Sequence, residues 1–129
     1  MRTILVIGAL YNIAFVIFHV FFWRIFSWQS ELPKLNRINR HVMPILNLCI
    51  TFVFLIFAYI SVMHTNELLT TPLGKSLLIL IALFWFARAI EQIVYFGISN
   101  KVSLAFFIIF ITGTVIYALP LIANFTSMA

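Results

Sequence analysis

FWFARAIEQIVYF, residues Phe84–Phe96, sets an arginine, a glutamate and a glutamine inside a run that is otherwise aliphatic and aromatic. Taken outward to Ser76 and Ile98, the run reaches the roughly 20 residues with which a helix crosses a hydrocarbon core about 30 Å thick. Three other stretches have the same character, Ile4–Phe26, Val42–Met63 and Val102–Phe125. The expected fold is therefore all-α, an integral membrane four-helix bundle. One domain, residues 1–129, consists of four transmembrane helices joined by short loops.

Composition agrees. The chain is 64% hydrophobic, 17% aromatic and only 9% charged, whereas soluble domains carry charge on about a quarter of their residues. Three acidic residues in all leave little material for carboxylate catalysis or for an acidic metal cage. The single Cys49 cannot close an intrachain disulfide and reads as a small hydrophobe in an apolar run. Met1-Arg2 before an apolar stretch resembles the start of a signal peptide, but the stretch is long and ends in FFWRIF without a small-residue cleavage site. It is read as an uncleaved first helix.

The distribution of Lys and Arg sets an orientation. Arg24, Lys34, Arg37, Arg40 and Lys101 fall on one side of the four spans, against Arg2 and Lys75 on the other. The first and third loops are thus expected in the cytoplasm and both termini outside, with Trp23, Trp28 and Tyr95 at the inner interface and Tyr59 and Tyr117 toward the outer one. Within the first loop, Leu35, Ile38 and Val42 recur at helical spacing while Asn36, Arg37, Arg40 and His41 face away. Pro33 is expected to open an interfacial helix that runs into the second span. Arg37 and Arg40 on its basic face would meet lipid headgroups, or serve only to set topology. Thr71 and Pro72 read as N-cap and first residue of the third span, Pro44 falls in the first turn of the second, and Pro120 should kink or end the fourth.

Depth arranges the polar residues. From span midpoints near Phe15, Phe52, Phe86 and Gly113, His19 lies about 6 Å, Asn47 about 8 Å, Arg88 about 3 Å, Glu91 about 8 Å and Gln92 about 9 Å to the cytoplasmic side of centre. Asn12 falls on the outer side. His19 shares a face with Asn12; Asn47, Thr51, Phe54, Ala58 and Ser61 form a stripe on the second helix; Trp85, Arg88, Gln92 and Tyr95 form one on the third, with Glu91 beside it. A charge facing lipid costs about 3 kcal/mol or more at a helix centre, so these stripes should face the interior or a partner protein. The expected site is a polar cluster of His19, Asn47, Arg88, Glu91 and Gln92 with Trp85 as a wall, acting either as functional groups or as glue between helices.

Sharper chemistries lack material. His41 and His64 stand about 35 Å apart along one helix, and His19 and His41 differ by about 10 Å in depth. No metal site, no cofactor and no catalytic residue is assigned, and no HExxH, CxxC, GxGxxG or Walker A pattern occurs. Nucleic acid is excluded as a partner, because topology accounts for the net charge of +5. Size and helix count resemble those of the small multidrug resistance transporters. Their essential membrane acid lies in the first helix, whereas here Glu91 is in the third, and the chain is not assigned to that family.

The function expected is that of a small non-enzymatic membrane protein. It would be an accessory subunit of a membrane complex, or a binder of a hydrophobic ligand such as a lipid or quinone. Its partners would be membrane lipid and a partner membrane protein or a second copy. The alternative is a proton-coupled transporter or small membrane enzyme in which Glu91 or His19 titrates.

Overall fold

The computed structural model describes residues 1–128, with side-chain surroundings described through Ala123. The order is α1 (Arg2–Val20), α2 (Phe22–Ile25), α3 (Trp28–Glu31), a 3₁₀ turn (Leu32–Lys34), α4 (Arg37–Met63), α5 (Thr65–Thr70), α6 (Pro72–Phe96) and α7 (Lys101–Met128), with no strand among the described residues. Four of these, Arg2–Val20, Arg37–Met63, Pro72–Phe96 and Lys101–Ala123, are long and apolar enough to cross a membrane.

The first apolar run does not stay one helix. α1 stops at Val20, where the Phe21 amide donates to the carbonyls of both Ile17 and Phe18. Ser27 then turns the chain in a left-handed conformation, φ 52° and ψ 45°. Aromatic packing accounts for the departure from Ile4–Phe26. Phe22 meets Phe26 at 4.8 Å and Trp28 at 5.7 Å, both edge to face, and only a reversal after Phe26 brings Trp28 back onto Phe22. Edge-to-face pairs contribute about 1 kcal/mol each beyond area burial, which offsets the left-handed Ser27.

The start of the second span is also corrected. Pro33 sits in the 3₁₀ turn, Leu35 is extended (φ −84°, ψ 159°), and the new helix opens after Asn36. The Asn36 Oδ1 accepts from the Asn39 amide at 2.9 Å, a side-chain N-cap. Arg37, Arg40 and His41 therefore lie in the first turns of α4 itself. α4 continues through Pro44 and α7 through Pro120, so Pro120 does not end its helix.

Contacts group the residues into two compact units, Ala9–Tyr59 and Met1–Gly8 with Ile60 onward. In the first unit, Ala9, Phe15, Trp28, Leu32, Phe54 and Ala58 are buried together with Asn12 and Thr51. In the second, α6 and α7 pack as an antiparallel hairpin over Leu78, Ile81, Trp85, Ala89, Phe110 and Tyr117. The buried positions of α6 are 74, 78, 81, 82, 85, 89 and 92, the three-and-four spacing of a helix seam. Thr71 caps α6 as expected, its Oγ1 accepting from Gly74 N at 2.9 Å, with Pro72 in the first turn. The linker before it holds α5, folded back so closely that a Cβ on Gly74 would land on the Glu67 carbonyl.

Candidate functional site

His19 and Asn47 meet within the unit Ala9–Tyr59. The Asn47 Nδ2 donates to the His19 carbonyl at 3.0 Å. That carbonyl lies in the last turn of α1, where helix acceptors lack an intrahelical donor, so Asn47 caps α1 from α4. His19 donates from Nδ1 to the Phe15 carbonyl at 2.8 Å, and its ring stacks on Phe22 at 4.3 Å and stands edge-on to Phe54 at 5.0 Å. Because α1 ends at Val20, its midpoint is Tyr11 and His19 lies about 12 Å from it, not near the centre of the span, whereas Asn47 lies about 5 Å from the midpoint of α4. Midpoints of helices of unequal length are poor depth markers, since α4 has 27 residues and α1 only 19.

Trp85, Arg88, Glu91 and Gln92 belong to the other unit. Trp85 is fully buried and stacks on Phe110 at 6.1 Å with 17° between the rings. Arg88 is half-buried, and its guanidinium lies over the same Phe110 ring, 4.5 Å from the centroid. Among the described residues no ion pair joins Arg88 to Glu91. Gln92 is buried and donates to Ser103 Oγ at 2.9 Å, while Ser103 donates to the Gly97 carbonyl, so the amide latches the α6–α7 turn. Glu91 is exposed, one position around the helix from that buried seam, and Tyr95, placed on the stripe by sequence, is 78% exposed.

Spacing along the chain marks neither Phe110 nor Ser103, and it sets Ser61 on the α4 stripe and Tyr117 toward the outer interface without pairing them. The two hydroxyls lie 2.7 Å apart, both side chains wholly buried. Tyr117 is thus a core residue rather than part of an interfacial belt. The available signal was Ser61 on the polar stripe of α4, which needs a partner once it is buried.

At the start of α4, Arg37 and Arg40 are both exposed. Arg40 reaches back to the Leu35 carbonyl at 3.4 Å and, with His41, borders a pocket of about 460 Å³ walled by Trp23, Trp28, Leu32 and Pro44. Arg37 is not among its lining residues. Among the described residues no three His, Cys, Asp or Glu side chains gather into one group. Comparison of the chain with family models, with curated proteins and with solved structures finds no match.

Proposed function

We propose that this is a multi-pass membrane protein with no catalytic chemistry of its own, an accessory subunit that holds a partner membrane protein along the outer face of α6. The first and third loops lie in the cytoplasm and the termini outside, as the Lys and Arg distribution requires. The observation that carries the reading is Glu91, a carboxylate on an exposed apolar face. Ala87 and Val94 lie one turn to either side of it, Ile90 is adjacent, and all are exposed. Among the described residues no hydrogen bond and no ion pair within 4 Å reaches the carboxylate, and Arg88, three residues back, attracts it only at longer range. A charge at this position is costly against lipid and favourable against a span that presents a cation or donor at the same depth. Ala87 lets such a helix approach closely.

The other polar groups support a subunit over a ligand carrier. Asn47, His19 and Gln92 direct their side chains to backbone and hydroxyl groups that hold helix ends and turns together. Arg88 is engaged with Phe110. The test is a mild-detergent pull-down of the wild type beside Glu91→Gln, read by mass spectrometry. The reading expects a reproducible membrane partner that Glu91→Gln loses. A partner held equally by both proteins, or none by either, overturns it; a second copy of the same chain as the only partner would make the protein a homo-oligomer.

A further inference from the structure

We propose that the first-loop pocket holds an anionic phospholipid, with its phosphate at Arg40 and His41 and its acyl chains leaving along α4. The site goes beyond the subunit reading and does not involve Glu91.

Order along the helix carries the argument. Arg40 and Pro44 share one face of α4, and His41 and Ile45 share the neighbouring one, being four residues apart. All four line the pocket. The Arg40 guanidinium and the His41 imidazole therefore lie nearer the helix start and the apolar pair one turn further along α4. Beyond them Leu48, one turn past Pro44, is 72% exposed, which continues the apolar track outside the pocket. That sequence of charge, apolar wall and open apolar track is the polarity of a phospholipid lying head-first against the helix, and a free inorganic anion would have no use for its second half.

The walls and the charge fit the same occupant. Trp23 and Trp28, edge to face at 5.7 Å, form a rigid side of indoles, which favour the headgroup level of a bilayer. No acid lines the pocket, and the acid of this loop, Glu31, is paired with Lys34 at 3.3 Å. One guanidinium nitrogen of Arg40 is steadied by the Leu35 carbonyl, which leaves the rest of the fork for phosphate oxygens. The volume of about 460 Å³ lies in the range of small-molecule sites.

The test uses the full chain in phosphatidylcholine vesicles that contain a minor fraction of phosphatidylglycerol, with bromine on the acyl chains of one lipid or the other. Tryptophan quenching is the readout, Trp85 being a buried background. Brominated phosphatidylglycerol should quench more than brominated phosphatidylcholine at equal content. Arg40→Gln with His41→Gln should weaken that preference about tenfold, while Arg37→Gln keeps the larger part of it. Equal quenching by the two lipids overturns the proposal. So does an equal loss in Arg37→Gln, which would mean diffuse attraction, or removal of the preference by inorganic phosphate, which would mean a free-anion site. The comparison of lipids and the phosphate competition use unaltered protein, and they decide even where the double variant fails to fold.

Discussion

Arg88 lies on the face of Phe110, with the guanidinium carbon 4.5 Å from the ring centroid and Trp85 stacked on the same ring. A cation held by an aromatic quadrupole in a partly desolvated setting contributes about 1–2 kcal/mol. A thermal double-mutant cycle in detergent should therefore give a coupling of about that size for Arg88→Met with Phe110→Leu. It should give a smaller one for Arg88→Met with Glu91→Gln, since no ion pair within 4 Å joins those two and only a longer-range attraction acts between them. A larger coupling with Glu91→Gln than with Phe110→Leu would show that Glu91 is the main counterpart.

Ser61 and Tyr117 share one buried hydrogen bond between α4 and α7. Removing either hydroxyl leaves the other without that bond in a wholly buried place, so Ser61→Ala and Tyr117→Phe should each lower stability by about 1 kcal/mol or more. The double change should lose less than the sum of the two. Strict additivity, measured by chemical or thermal unfolding, would remove the bond from the account.

Gly97 ends α6 at φ 71° and ψ −177°, a region essentially restricted to glycine. Space is not the obstacle, because a Cβ there would meet nothing within 4 Å. Gly97→Ala should still cost about 1–3 kcal/mol and should weaken the latch of Ser103 on the Gly97 carbonyl. An unchanged melting temperature would mean that the turn adopts another conformation.

Topology is tested by accessibility of introduced cysteines, in a background where exposed Cys49 is replaced. Positions 34 and 101 should label from the cytoplasm and position 75 from outside. Labelling of 34 and 101 from opposite sides would break the four-span reading.

How each helix was legible depended on what kind of signal wrote it. Hydropathy marks the four helices long and apolar enough to cross a membrane, because length and apolarity are properties of the chain alone. Thr71 and Pro72 mark the start of α6 because a cap acts within one turn. Asn36 is a cap of the same kind, but Pro33, three residues earlier, is the stronger helix-start signal in the sequence.

Which side of each span faces inward is a different matter. In a lipid-facing helix Leu, Ile and Phe suit both the core and the exterior, so binary patterning carries little information about the buried seam. That is why Tyr95, which spacing puts on the α6 stripe and residue type at an interface, is exposed, while Tyr117, expected toward the outer interface, is buried. The sequence by itself determined that the chain is four apolar helices with basic first and third loops, since composition and local caps act without tertiary contacts. Only the tertiary structure decided that the first run breaks after Val20, that Arg88 rests on Phe110 and that Asn47 caps α1. The last two depend on a group distant in the chain arriving within 3 to 5 Å, and the first on which rings pack after the turn at Ser27; no spacing along the sequence encodes these contacts.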